Sequence, residues 1–232
     1  MSELITLKAG ELGTGFLIEQ DAGYISPSDE RNLPFINEIK NLERGKQVIV
    51  EPLYVYAVLQ KFGIKNRNGR VYPEAVLKAQ EQAYQQLIQE KRALGELDHP
   101  ESSIISGSKV SHNIVEMWWE GNTLMGKLEI LMTPGFVNLG IASTMGDHVA
   151  NLLRLGIKVG VSSRGVGSVE DVGGVQLVQS DFELICWDVV TNPSTPGSWI
   201  FNSPSDKAAY TEEVKVIKPT LLEGGLDQFL LN

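Results

Sequence analysis

The sequence predicts an α+β fold, a largely antiparallel sheet or barrel of about seven strands wrapped by helices. Segments rich in β-branched and aromatic residues recur along the chain, and short turn sequences such as Asn68-Gly69 separate them. Only two stretches repeat apolar residues at helical spacing. Because hairpin strands alternate with single helices, and no phosphate-binding glycine motif occurs, we do not expect a doubly wound nucleotide-binding fold.

The order of these segments divides the chain into three regions. Residues 1–45 are mixed and polar and should form an N-terminal arm, residues 46–201 a folded domain, and residues 202–232 a C-terminal tail. Within the domain we expect strands near 47–59, 93–99, 111–120 and 122–132 and two or three between 157 and 191, with helices from Pro73 to about Arg92 and from about Val137 to Gly156.

The composition limits the classes of function. The 232 residues carry a formal net charge of −9, which disfavours nucleic-acid binding because phosphate contacts need clustered Lys and Arg. Cys186 is the only cysteine, so neither an intramolecular disulfide nor a cysteine-rich zinc site can form. No apolar run is long enough for a membrane span, and the N-terminus lacks a signal-peptide pattern. We expect a soluble cytoplasmic protein without a membrane partner.

The three histidines are the first candidates for proton-transfer chemistry. His99 ends a predicted strand, and Pro100 forbids a regular continuation, so the side chain should lie at a rim. His112 begins the next predicted strand and is a second candidate. His148 falls on the second predicted helix, where we expect it to pack against the apolar stripe. A single histidine more often has a structural role, so each residue also has that interpretation.

The segment GVSSRGVG supplies a candidate nucleophile. Ser162 and Ser163 lie at the end of a predicted strand, and Arg164 and Gly165 follow them. A serine hydroxyl reacts only with a base and oxyanion donors nearby, and an arginine and a glycine backbone could supply such donors. The commoner explanation of such a segment is a serine-rich turn between strands. It does not match the GxSxG motif of the α/β-hydrolases.

An acidic residue could orient the base. Asp188 interrupts an apolar strand, where an unpaired charge is costly, so it either pairs with a histidine or an arginine or points outward from an edge. Glu96 and Asp98 compete for the role, although Asp98 and its neighbour His99 should face opposite sides of a strand. No HExxH motif and no histidine pair at helical spacing occurs, so we expect no metal.

Five motifs, in order, resemble the prohead core protease family of tailed bacteriophages: KNRNGRVYP, GELDHP, SHNI, KVGVSSRGVG and WDVVTNPSTPG. The resemblance implies a serine endopeptidase with the fold of the herpesvirus assembly proteases, a β-barrel surrounded by helices, so residues 46–201 would be the protease domain. It places the base at His99 and the nucleophile at Ser162, with Ser163 as the alternative. Order and spacing select Asp188 as the third member, and Arg164 and Gly165 would stabilise the oxyanion.

The resemblance also implies what the protein acts on. Family members cut scaffold and capsid proteins, often cut themselves, and prefer to cleave after Glu with Leu or Ile two residues earlier. Leu221-Leu222-Glu223-Gly224 fits this pattern, so cleavage between Glu223 and Gly224 would remove the tail. Leu17-Ile18-Glu19 and Ile36-Asn37-Glu38 fit it too, so cleavage within the arm is the alternative. We expect no cofactor, a location in the host cytoplasm inside the assembling prohead, and association into a homo-oligomer as in relatives with this fold.

Two alternatives stay open. The chain could be a catalytically inactive scaffold or internal capsid protein of the same fold, or it could be a metal-dependent hydrolase. Labelling by a fluorophosphonate probe, which needs an activated serine, separates the first alternative from the protease. Sensitivity to a chelator would mark the second.

Overall fold

The computed structural model describes residues 52–100 and 102–203, all of which belong to one compact unit spanning Val50–Asn232. The mixed, strand-rich architecture predicted from the sequence is confirmed in this part of the chain. In order, its elements are β1 (Leu53–Lys61), β2 (Arg70–Val71), α1 (Glu74–Gln89), β3 (Leu94–Glu96), β4 (Val110–Glu120), β5 (Thr123–Ile130), α2 (Pro134–Leu139), α3 (Met145–Arg154), β6 (Gly160–Val166), β7 (Val169–Val172), β8 (Val175–Val178), β9 (Glu183–Val190) and β10 (Ile200–Phe201).

The largest sheet has five antiparallel strands in the order β10-β1-β5-β4-β3. The predicted hairpin is β4–β5, and its turn contains Gly121 at φ 61°, a left-handed conformation that glycine adopts without a steric penalty. Strand β1 is buried on both faces, because Leu59 belongs to the main core with Ile114, whereas Val58 packs with Met125 in a smaller cluster. Strand β1 therefore separates two apolar clusters.

Two smaller sheets accompany the first, the pair β6–β9 and the three strands β2-β8-β7. Isolated bridges connect the pair to the large sheet: Leu97 beyond β3 pairs with Val189 of β9, and Gly160 of β6 pairs with Trp199 before β10. Among the ladders of the described residues, only β2–β8 is parallel. No continuous ladder closes the strands of residues 52–100 and 102–203 into a barrel, so the barrel stays a prediction.

The helices differ from the sequence prediction in one respect. Helix α1 is confirmed, and its Tyr84 packs edge-on against Trp187, with ring centroids 4.8 Å apart. The second predicted helix is wrong as a single element, because α2 ends at Gly140 with φ 69° and α3 begins anew after Thr144. Thr144 and Asp147 form a capping box that satisfies the free N–H groups of the new helix.

The arm predicted at residues 1–45 and the cleavage site predicted at Glu223 and Gly224 lie outside the described residues, as does nearly all of the 202–232 tail. Among the helices that are described, none combines the length and the apolar character needed to cross a membrane.

Candidate active site

His99 lies just beyond the end of β3 and contacts Asp188 of β9. The chain turns at Asp98, whose φ of 68° is a left-handed value that Asp tolerates better than most residues, and the Asp98 N–H donates to the Val189 carbonyl at 2.9 Å. The turn brings His99 Nδ1 within 2.8 Å of Asp188 Oδ2. The His99 side chain is 42% exposed and that of Asp188 is fully buried. A half-exposed imidazole is thus held by a buried carboxylate.

Asp188 accepts hydrogen bonds from several directions. Besides His99, its donors are the Glu96 N–H at 3.0 Å, Arg164 Nε and Nη2 at 2.9 and 3.1 Å, and the Cys186 thiol at 3.2 Å. Burial alone would raise the pKa of Asp188, but the hydrogen bonds outweigh it and hold the pKa below its usual value. The carboxylate therefore stays charged and fixes the His99 proton on Nδ1, which leaves Nε2 as the nitrogen that can accept a proton.

The two serines project to different faces of the β6–β9 pair. Ser162 is the register partner of Asp188, and directly opposite residues share a face, so its side chain lies on the side of the carboxylate. Ser163 is the partner of Trp187, a core residue, and its hydroxyl accepts from Gln60 Nε2 at 3.4 Å. Among the described residues neither hydroxyl is hydrogen-bonded to His99. Catalytic hydrogen bonds are often long or misaligned until substrate binds.

A polar cavity of about 450 Å³ connects these groups. His99, Asp98 and both serines line it, and residues of the 66–70 and 190–194 segments form the rest of its wall. A second cavity of about 140 Å³ continues past His99 and Ser163 between Arg70 and apolar side chains. An extended peptide crossing these two cavities would pass the imidazole and the serine hydroxyls.

Arg164 and Gly165 occupy structural positions beside the serines. The Arg164 side chain is 6% exposed and is held by Asp188 and Glu96. The register of β6–β9 shifts at Gly165, where an added Cβ would lie 2.5 Å from the Phe182 ring and 2.6 Å from the Glu183 carbonyl oxygen. Glycine is required there because the strands approach too closely for a side chain.

The other two histidines lie away from the cavities. His112 is completely buried, with Nδ1 2.9 Å from the Ser111 hydroxyl and Nε2 3.0 Å from the Trp187 carbonyl oxygen. Burial lowers its pKa to about 4, as expected for a neutral structural histidine. An added Cβ on Gly95 would lie 2.4 Å from this ring, so glycine is needed beside it. His148 is exposed on α3, and the predicted packing against the apolar stripe is wrong.

Comparisons with known proteins identify the family of this chain. The family model described as "Prohead core protein serine protease" matches residues 17–208. The prohead core protein protease of Enterobacteria phage T4 is 33% identical over 160 residues, which cover 67% of this chain and 72% of the relative. This chain belongs to that family. The solved structure of the bacteriophage T4 capsid assembly protease is also similar, with a TM-score of 0.55 and 30% identity over 60% of this chain and 82% of the other.

Membership of the prohead protease family supports a peptidase of capsid maturation. No pattern in the sequence assigns a role to Gln60, Arg67 or Ser194, although Arg67 and Ser194 lie within motifs that carry the resemblance. Ser194 Oγ lies 3.5 Å from Ser162 Oγ, and Arg67 Nη1 donates to Asn192 Oδ1 at 3.0 Å, joining the two segments of the cavity wall. Such long-range contacts leave no periodic signal in the sequence.

A metal-dependent reaction would need several ligand side chains grouped together. Within residues 52–100 and 102–203, no three His, Cys, Asp or Glu side chains are grouped so that they could hold a metal ion. The single Cys186 is buried, and burial is the main reason that its pKa is raised above the usual value. A thiol of this kind is a poor nucleophile, which leaves the serines as the candidates.

Proposed function

We propose that this protein is a serine endopeptidase that cleaves scaffold and capsid proteins inside the assembling prohead. The observation that carries the proposal is the hydrogen bond from His99 Nδ1 to the buried Asp188 carboxylate, at the edge of a cavity that Ser162 also lines. Ser162 is the nucleophile, His99 the base and Asp188 the residue that orients the base. The family names of the relatives are consistent with this chemistry.

The reaction is acyl transfer to water. His99 Nε2 takes the Ser162 proton while the serine oxygen attacks the substrate carbonyl carbon, and the imidazolium then gives the proton to the leaving amine. The acyl-serine that remains is hydrolysed by a water molecule that His99 activates in the same way. Asp188 keeps its negative charge throughout and stabilises the imidazolium. Backbone N–H groups near Ser163 and Gly165 stabilise the oxyanion.

Cleavage after Glu needs a cation in the substrate site, and Arg70 is suitably located. It lines both cavities, its side chain is exposed, and among the described residues its guanidinium has neither a hydrogen bond nor an ion pair. Arg67 lines the larger cavity too, but it is bound to Asn192. A carboxylate of the substrate would form a charge-assisted bidentate pair with Arg70.

Replacing Arg70 by Ala is expected to lower kcat/KM for a peptide with Glu before the scissile bond by about 10- to 100-fold, the value of a hydrogen bond to a charged group. The same change should alter kcat/KM for the matching Gln peptide by less than about threefold, since no charge is lost there. Arg70→Lys serves as the charge-conserving control. Equal losses for both peptides would show that Arg70 does not select the acid.

The proposal includes self-cleavage after Glu223. The purified protein is incubated alone and with the scaffold protein of its own phage, and intact masses are recorded beside labelling with a fluorophosphonate. We expect one labelled serine, fragments ending in Glu and loss of the segment beyond Glu223, all unchanged by a chelator. Masses that stay constant without any labelling would favour the inactive scaffold protein, and inhibition by the chelator alone would favour the metal-dependent hydrolase.

Three related properties remain predictions. The location in the host cytoplasm inside the prohead, the absence of nucleic-acid partners and the formation of a homo-oligomer are all consistent with the family, and none is needed for the chemistry. Size-exclusion chromatography with light scattering measures the last of them directly.

A further inference from the structure

The guanidinium of Arg164 is committed to protein groups on every side. Nε and Nη2 donate to the two oxygens of Asp188, and Nη2 also lies 3.2 Å from both Glu96 Oε2 and the Cys186 sulfur. Nη1 donates to the Ser102 carbonyl oxygen at 2.6 Å. With three nitrogens engaged and 6% of the side chain exposed, the group is poorly placed to meet a substrate oxyanion.

These contacts join all segments that hold His99. Arg164 ties β6 to Asp188 of β9, to Glu96 at the end of β3, and to the loop that follows His99. Glu96 fastens the same loop a second time, since its Oε1 accepts from the Ser106 N–H. The imidazole therefore lies on a segment that is anchored on both sides to one cluster of charges.

The charges of the cluster also depend on Arg164. Glu96 and Asp188 are fully buried, and Arg164 is the cation that lies between them. Burial opposes the charge of Asp188, and the hydrogen bonds from Arg164 are among those that lower its pKa, so without Arg164 this carboxylate would take a proton more readily. A protonated Asp188 would no longer hold His99 in the tautomer that can accept the serine proton.

We infer that Arg164 is a positioning residue, which acts through Asp188 and the His99 loop instead of donating to the oxyanion, with Glu96 as its second anchor. The inference rests on the proposed function and revises the role first expected for Arg164 from the sequence. The oxyanion is then stabilised by backbone N–H groups alone. Lysine cannot replace this arginine, because one ammonium group cannot bond both Asp188 oxygens and the Ser102 carbonyl together.

The test combines kinetics with ¹⁵N-histidine labelling of the full chain. The sequence contains only three histidines, so His99→Gln identifies the His99 signals by difference, and buried His112 is an internal reporter of folding. At a pH where the imidazole is neutral, wild-type His99 should show a protonated Nδ1 and a bare Nε2. In Arg164→Lys this pattern should become a tautomer mixture while the His112 signals stay in place. We expect kcat to fall about 10²-fold, with KM changed less than about threefold.

Two further variants keep the inference falsifiable. Glu96→Gln keeps the size of the side chain and should shift the His99 signals in the same direction, with kcat reduced about tenfold. Arg154→Lys makes the same change on the surface of α3, where Arg154 contacts Asn151, and should change neither readout. If Arg164→Lys shifts the His112 signals and so perturbs the fold, the His99 signals of Glu96→Gln test the inference instead.

Normal His99 signals in both cluster variants would overturn the inference, even if kcat fell, because an oxyanion donor would produce that result. The NMR readout does not need proteolysis. If wild type cleaves nothing while its His99 tautomer still depends on Arg164, the proposed function fails and the positioning role stands.

Discussion

Ser162→Ala is expected to lower kcat/KM for scaffold cleavage by about 10⁴-fold or more, because the acyl-serine can no longer form. Ser163→Ala should keep most of the activity. The reason is the register of β6 with β9, where Ser162 lies opposite Asp188 and Ser163 lies opposite the core residue Trp187. Both variants remove one hydroxyl from adjacent residues, so each is the matched control for the other. Product masses over time measure the rates.

The activity of Ser163→Ala decides which of the two serines is the nucleophile. Ser163 also lines both cavities with His99, so position in a cavity alone does not distinguish the two hydroxyls. If Ser163→Ala is inactive and Ser162→Ala cleaves normally, the nucleophile is Ser163, and the face argument is wrong. If both variants lose activity but only one loses fluorophosphonate labelling, the serine replaced in that variant is the nucleophile.

The order of helices and strands could be predicted from the sequence, because local patterns of residues determine it. Alternation and turn residues predicted the β4–β5 hairpin, and Pro73 and the following apolar spacing predicted α1. The buried face of α1 is harder to predict. Helical spacing counted from Val76 places Ala79 and Ala83 on the apolar face, yet both are exposed, whereas the face that packs on the core includes Leu77 and Tyr84. Helical spacing allows several faces, and only the position of the sheet selects one.

In the candidate site, local motifs likewise predict which residues matter, but they do not predict which distant residues they contact. The motifs predicted His99 and Ser162, and order and spacing predicted Asp188. The structure brings His99 and Asp188 into contact although 89 residues separate them. The role of Arg164 could not be predicted in this way. An arginine after a candidate serine suggests oxyanion binding, but its actual partners come from β3, β9 and the His99 loop. A residue's role depends on partners that the order of motifs does not reveal.

Asp188→Asn is expected to have the second large effect, a loss of about 10⁴-fold in kcat/KM. Oδ2 of Asp188 accepts from both His99 and Arg164, and Oδ1 accepts from Arg164 and the Glu96 N–H. An amide has only one acceptor oxygen. If its NH₂ faces His99, the imidazole changes to the tautomer that cannot take the serine proton. If the NH₂ faces Arg164, the amide N–H and the guanidinium N–H groups face each other without an acceptor in a buried site. Asp98→Asn is the matched control, since Asp98 lines the cavity and makes no hydrogen bond to His99 within the described residues.

Asp188→Asn should also lower the free energy of unfolding. The way this loss depends on pH shows whether the charge of Asp188 causes it. Removing the charge leaves the Arg164–Glu96 cluster without one partner, and breaking a buried ion pair costs about 3–5 kcal/mol in the free energy of unfolding near neutral pH. The pKa of Asp188 is lower in the folded protein than in the unfolded chain, so its contribution is complete above the unfolded value of about 3.9 and is lost as the pH falls through the folded value.

The stability difference between wild type and Asp188→Asn should therefore be constant from neutral pH down to about pH 5 and shrink below about pH 4. Asp147 also titrates in acid: burial would raise its pKa, but hydrogen bonds from Thr133 before α2 and from Ser143 and Thr144 before α3 lower the pKa to about 2. Because both proteins contain Asp147, it cancels in the difference. Urea unfolding at several pH values measures the effect. A difference that does not change in acid would mean that the loss comes from packing, and that the charge of Asp188 is not what stabilises the cluster around His99.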